Sequence, residues 1–387
     1  ASYGLVGNDR ISNLRFPYLT IIKETTDTTP WGGSGVLTEE RVGADNLMWE
    51  KAKKLDIGLD LHLFGGQFTM TVDYFRDRRE GIFQQRAQIP DYVGVITMPY
   101  GNVGGMTSWG GDGNFEYFQP IGKNAHFTLR GNFTLSKNKI DNWEEATQPY
   151  PYLSKTGVSN DVQRGFVALG LFKDQQDVDM SPEQFGTVRP GDIKYKDLNG
   201  DGAITYDQDR AYIGRGQRPQ FNGSINLNAS WKGLEFDILF IGAAVCDVSL
   251  TGTYYNHNED NTIFTRPFKA GANSPRYLVE QAWTPENPDA KYPRLSLNPP
   301  NTNNAYASSF WYRDGKYLRL KSVHLGYTLP KAWTGKLRIQ KVKVYVEGNN
   351  LCTWSGLPEG IDPEWPGVTN GYYPQQRTVV GGLEISF

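Results

Sequence analysis

The residues best equipped to do chemistry in this chain lie in Asp197-Leu198-Asn199-Gly200-Asp201-Gly202-Ala203-Ile204-Thr205. Oxygen donors stand at the first, third and fifth positions. A glycine at the sixth makes a sharp turn, and the Ala203 carbonyl takes the seventh, as in the front half of a calcium loop. Two carboxylates and an amide converging on one turn repel unless a cation sits between them. The second half departs from the pattern. The twelfth position, where a bidentate Glu is expected, is Gln208, with Asp207 and Asp209 on either side. A shift of one residue brings Asp209 in. The expected donors are therefore Asp197, Asn199, Asp201, Ala203, Asp207 and Asp209, holding calcium in a structural role. The alternative is an Asn/Asp/Gly-rich turn without metal.

Other candidate chemistry is thinner. Outside the recognisable strands stand Trp109, Trp143, Trp283, Trp311, Trp354 and Trp365, with Tyr254, Tyr255, Tyr372 and Tyr373. Exposed rings stack on sugar faces or peptide side chains, so Trp109, Trp283, Trp311, Trp354 and Tyr372 are candidate ligand contacts. The competing role is an interfacial girdle or the small core of a long loop. His62, His126, His257 and His324 are scattered, and none has a second His at a metal-ligand spacing. Neither a Gly-x-Ser-x-Gly elbow nor a phosphate loop is present. The chain is expected not to be an enzyme. Cys246 and Cys352 lie far apart in sequence; they form one disulfide or stay unpaired.

The elements that position these residues are strands. The stretch from Phe221 to Val245 turns at Lys232-Gly233, and a two-residue hairpin loop fixes the register. It pairs Trp231–Leu234, Ala229–Phe236, Leu227–Ile238, Ile225–Phe240 and Gly223–Gly242 on one apolar face. Ser230–Glu235, Asn228–Asp237, Asn226–Leu239 and Ser224–Ile241 fall on the other. Each strand is about eleven residues long, above the usual soluble strand and close to what spans a bilayer. A second hairpin turns at Gly65-Gly66 and pairs Leu63–Phe68, Leu61–Met70, Leu59–Val72 and Ile57–Tyr74. Three more segments follow the same rule: Asn124–Ser136 after a turn at Pro120–Lys123, Tyr317–Leu329 joined to Ile339–Glu347, and Thr378–Phe387. Turn chemistry and hydrophobic phase agree in independent places. Residues 8–53 read as irregular.

Short connections alternate with long ones of roughly 79–113, 138–218, 248–314 and 350–375. Such lengths are uncommon in compact soluble domains and usual for the outer loops of membrane barrels. No apolar run approaches the ~18 residues of a membrane helix; the longest, Ile238 to Cys246, has nine. The mean hydropathy of −0.54 is compatible with a barrel, which hides its apolar residues by alternation. A net charge of −2 leaves no basic footprint, so no nucleic acid is expected. The expected fold is all-β: about ten antiparallel strands of a transmembrane barrel, with short periplasmic turns and long extracellular loops. The alternative is a soluble β-sandwich that binds glycans. A complete ten-stranded barrel is a third possibility. The opening residues Ala1 to Val6 already look like strand interior, so the chain is expected to be the carboxy-terminal portion of something longer.

Several motifs carry a family resemblance. They are Asn46-Leu47-Met48-Trp49-Glu50-Lys51; Asn132 to Ile140; Gly170-Leu171-Phe172; Gly191 to Asp197, with Asp209-Arg210 and Ile213-Gly214; Tyr317 to Pro330; Asn349-Asn350-Leu351; and Tyr373-Pro374 to Phe387. In this order they resemble the SusC/RagA-like TonB-dependent transporters over residues 1–387. The resemblance implies part of a 22-stranded outer-membrane barrel of a Gram-negative bacterium, with the plug domain and first strands absent. It further implies import of an oligosaccharide or peptide, energised by TonB through the missing amino-terminal part, under a SusD-like surface lipoprotein lid. The rest of the same barrel and the membrane lipids are then partners as well. Residues 138–218, with the calcium-like motif, and 248–314 are the long extracellular loops. Two features depart from the pattern: the extra residue in the calcium-like loop, and Val380 where the terminal assembly signal carries a polar residue.

Overall fold

A computed structural model describes the chain except residues 10–14, 26–34, 45, 90–96, 251–275, 296–302, 335–338 and 366–374. Ten strands form one antiparallel sheet in chain order. They are β1 (Ser2–Asn8), β2 (Glu50–Leu63), β3 (Phe68–Gln85), β4 (Tyr100–Ile121), β5 (Ala125–Asn142), β6 (Phe221–Trp231), β7 (Leu234–Ala244), β8 (Tyr317–Thr328), β9 (Lys341–Ser355) and β10 (Thr378–Ser386). The chain divides into two compact units, Ala1–Leu59 with Val72–Gly111 and Ser136–Asn160, and Asp60–Thr71 with Asp112–Leu135 and Asp161–Phe387.

In the first unit β1 pairs with β2 from Ser2↔Asp56 to Asn8↔Glu50. The strands run beyond the apolar alternation that betrays them in sequence. β3 continues to Gln85 and β4 starts at Tyr100, so most of the connection expected over 79–113 is strand. Charge pairing between neighbours replaces hydrophobic phase there: Lys53 reaches Glu80 at 2.8 Å and Lys54 reaches Asp77 at 2.9 Å. The stretch expected to be irregular contains a hairpin, Ile21–Thr25 against Val36–Arg41. Trp49 lies over Gly7, where a Cβ would stand 2.8 Å from the ring, so the glycine makes room for the indole. Glu145 organises a turn by accepting from the Ser154 hydroxyl and from the N–H groups of Lys155 and Thr156. Burial alone would raise its carboxyl, but those hydrogen bonds outweigh it and hold the group below the usual range.

In the second unit the β6–β7 register is the one the Lys232-Gly233 turn demands, from Trp231↔Leu234 to Gly223↔Gly242. Lys232 and Gly233 have φ of 48° and 87°, the positive values a type I′ turn needs. Thr71 donates to Asp60 at 2.7 Å across the Gly65-Gly66 hairpin, in the register expected from its turn. The apolar face continues sideways through Leu129↔Leu227, Ile238↔Val323, Leu325↔Val346 and Val344↔Leu383. An irregularity at Lys321 keeps this face continuous. Leu318 and Leu320 lie on it before the bulge, Val323, Leu325 and Tyr327 after it, and if Lys321 were paired in a regular pleat the last three would turn away.

The buried core of this unit lies outside the sheet. Phe166, Ile193, Tyr195 and Ile204 of the connection between β5 and β6 pack with Val248, Leu250, Leu278, Tyr292, Ala305 and Trp311 of the connection between β7 and β8. Both cysteines are free thiols, so the disulfide reading does not hold.

Candidate functional site

The two faces of the sheet differ in what they offer a solute. Opposite the apolar rows, Asn226 donates to Asp237 at 3.0 Å and Asn228 donates to its other oxygen at 3.3 Å. Ser230 hydrogen-bonds His126 at 2.7 Å, and Arg130 reaches Glu116 at 2.6 Å. His324 lies opposite Asp237 and 3.9 Å from Glu347. Asn, Asp, His and Glu in consecutive positions make a wettable wall, and three of the four histidines are part of strands. His257 lies outside the described residues.

One charged residue of this face is withdrawn from water. Arg319, 2% exposed, donates to Thr353 (2.9 Å), Asp362 (2.7 Å), Glu364 (2.5 Å) and Gln375 (2.7 Å). The guanidinium spends its fork of donors on the connection that follows β9 and ties it to β8 and β9. Sequence reading passed over it. The available signal was an arginine on the polar phase of a strand, between Leu318 and Leu320.

The core between the two long connections is braced by a buried polar network. Asp192, 1% exposed, pairs with Arg294 at 3.0 Å and accepts from Asn304 at 2.9 Å. Asn303 donates to the Ile193 carbonyl at 2.7 Å, and Asn304 accepts from the Ile193 N–H at 2.8 Å. Gly191 stands where a Cβ would be 2.6 Å from the Trp283 ring. In the run Gly191 to Tyr195, Gly191 allows close approach, Asp192 is a buried charge, Ile193 and Tyr195 enter the core, and Lys194 pairs with Asp177 at 2.7 Å.

The calcium-like loop follows directly. Asp197 accepts from Gly200 N–H (2.6 Å) and Gly202 N–H (2.8 Å), and Asp201 accepts from Ala203 N–H (3.0 Å). That backbone donor, and then Asn199, hold the Asp201 carboxyl below the ordinary carboxylate range. Asn199 Nδ2 donates to both Asp201 (2.8 Å) and Gln208 (2.6 Å). Asp209 is fully buried and accepts from Leu198 N–H and Thr205 N–H, each at 2.8 Å, closing the loop from inside. Asp207 contributes its backbone carbonyl to Arg164 at 2.9 Å. Among the described residues no three His, Cys, Asp or Glu side chains gather as metal ligands. A cation here would have to draw on Asn199, Gln208 and backbone oxygens beside the carboxylates.

The aromatic candidates do not converge. Trp311 is fully buried, with its N–H donated to the Asn304 carbonyl at 2.9 Å, so it is core and cannot be a platform. Trp109 and Trp354 are not in loops; they sit within β4 and β9, because those strands extend further than their alternation shows. Trp354 is 51% exposed on the apolar face. Trp283 is half-buried against Gly191. Tyr372 lies outside the described residues, as do Tyr254, Tyr255 and Tyr373.

A long-stranded antiparallel sheet with one apolar and one polar face, and with its core in the connections, defines part of a transmembrane-type β-barrel. Comparison with known proteins narrows the class. The whole chain is 28% identical to TonB-dependent receptor P3 and 29% identical to TonB-dependent receptor P26, both of Formosa agariphila, and 23% identical to TonB-dependent receptor SusC of Bacteroides thetaiotaomicron. It spans 39%, 39% and 37% of their lengths. No family model matches. Among solved structures, the RagAB peptide importer in its open-open state matches the whole chain with a TM-score of 0.66 at 21% identity, over 39% of that chain. The RagAB peptide transporter gives 0.66 at 22%. Over its whole length the chain is thus similar to SusC/RagA-like TonB-dependent receptors, and its fold is that of part of their barrel.

Proposed function

We propose that the protein imports a nutrient, an oligosaccharide or a peptide, across the outer membrane. In this reading TonB supplies the energy and a SusD-like surface lipoprotein acts as the lid. The observation that carries the proposal is the end-to-end similarity to TonB-dependent receptors, across strands and long connections alike. The geometry supplies compatible parts. The polar rows of β5 to β9 give a hydrated solute hydrogen-bonding partners along a wall, and the braced connections give a stiff rim on which a lid can seat. The relatives' names describe receptors, and His126 and His324 serve strand pairing on the polar face, which fits transport better than catalysis.

Uptake of labelled oligosaccharide and peptide pools by cells carrying the intact gene tests this. Uptake of one pool should fall to background when either this gene or TonB is deleted. Unchanged uptake without TonB, or recovery of the protein in the soluble fraction, contradicts the proposal.

We also propose calcium in the loop starting at Asp197, in a structural role. One contact favours it: the Asn199 amide nitrogen sits between the Asp201 and Gln208 oxygens, the position that calls for positive charge. Each carboxylate oxygen that accepts one N–H keeps a further lone pair for a metal. Calorimetric titration of the full-length protein with calcium should give saturable heat that Asp201→Ala abolishes. No heat in either protein ends the idea.

A further inference from the structure

The apolar face is recessed where Gly223 and Gly242 oppose each other across β6 and β7. Ala244 follows, and Phe221, Ile225 and Phe240 stand around them. The missing side chains leave a groove of about 700 Å³. Its walls are Phe133, Phe221, Ile225, Phe240, Leu318 and Trp354. Its floor is held flat by sterics: a Cβ on Gly242 would lie 2.8 Å from the Tyr317 carbonyl. Ile225, Leu318 and Trp354 are each about half exposed, so the walls stand open to whatever surrounds the sheet. At one end the groove reaches Lys316, paired with Asp314 at 3.0 Å, which marks the boundary with water.

We propose that this groove binds the acyl chain of an outer-leaflet lipid. The inference rests on the membrane reading above. The groove is continuous with the apolar rows of Leu227–Ile238 and Ala229–Phe236, and it lies at the strand ends away from the short Lys232-Gly233 turn. Two physical arguments select the occupant. Water needs two to four polar partners to stay in such a recess, and this lining is mostly hydrocarbon and aromatic. A void would forfeit dispersion contacts on all its walls, so a flexible chain enters.

The test uses the full-length protein in its own membrane. Cells are fed a fatty acid carrying a diazirine near the chain end, irradiated, and the labelled residues of the purified protein are mapped by mass spectrometry. Adducts on Phe221, Ile225, Phe240, Leu318 and Trp354 should exceed those on Leu227, Phe236 and Ile238 several-fold. Ala244→Phe, which fills the groove, should remove the excess and leave the other adducts unchanged. If that variant does not fold, the wild-type ratio decides alone. Even labelling along the face, an excess that survives Ala244→Phe, or a groove crosslinked to a second copy overturns the proposal while membrane residence stands. No label on either set overturns the membrane reading and the groove together.

Discussion

The sheet and its connections treat apolar residues in opposite ways. In the strands, Ile225, Leu318, Leu325, Val346 and Leu383 are 47–60% exposed. In the connections, Ile193, Leu250, Leu278 and Trp311 are fully buried. Leaving rows of Leu, Ile and Val exposed is costly in water, at about 25 cal/mol per Å² of apolar surface. The connections obey that cost and build a core with its own polar bracing. The strands ignore it, as the proposed outer-membrane setting requires, with hydrocarbon as the medium on that side. On that proposal one chain shows two solvents through two distributions of the same residue types.

Breaking the core of the connections should have the largest effect. Trp311→Ala should destabilise that region by about 3–5 kcal/mol through lost burial and the cavity left behind. Protease susceptibility of the connections would report it, while the sheet keeps its heat-resistant migration on gels. Arg294→Leu should also cost about 3–5 kcal/mol, because Asp192 is left buried without its partner. Replacing Asp192 as well, with Asn, should recover part of the loss, and a double-mutant cycle by urea unfolding reads the coupling. On the sheet, Leu227→Arg should cost about 2–4 kcal/mol if that face meets the bilayer centre. Asn226→Arg, one residue away on the polar face, should cost far less, and folding into lipid vesicles distinguishes them. The smallest effect is the pH response of Glu145. Its folded pKa lies below its ordinary value, so it stabilises above about pH 4.5 and the contribution is lost as pH falls through the folded pKa. The stability difference between wild type and Glu145→Gln should therefore shrink with acidification.

The same contrast explains what could be read from sequence. The β6–β7 and β2–β3 hairpins were legible because a turn and a period of two residues specify one register. Lys321 was not, since a bulge changes the phase without a compositional mark. Trp109 and Trp354 were misassigned to loops because strand continues where alternation has stopped. The core around Trp311 was invisible for a different reason. Its members come from two connections on either side of the β6–β7 hairpin, with contacts such as Tyr195 to Asn303 spanning 108 residues, in irregular backbone without periodicity, so only their aromatic richness hinted at it. The Asp197 loop was legible as a turn, and its hydrogen bonds explain Asp197, Asp201 and Asp209 with Gly200 and Gly202.

The central claim is that consecutive residues of one strand meet different media. Single-cysteine spin labels at Ser224 through Ser230, in the full-length protein reconstituted in bilayers, test it by collision with oxygen and with a water-soluble nickel chelate. Oxygen access should peak at Ile225, Leu227 and Ala229, and chelate access at Asn226 and Asn228. Access to both that is uniform along the strand, or low at every position, would contradict the account.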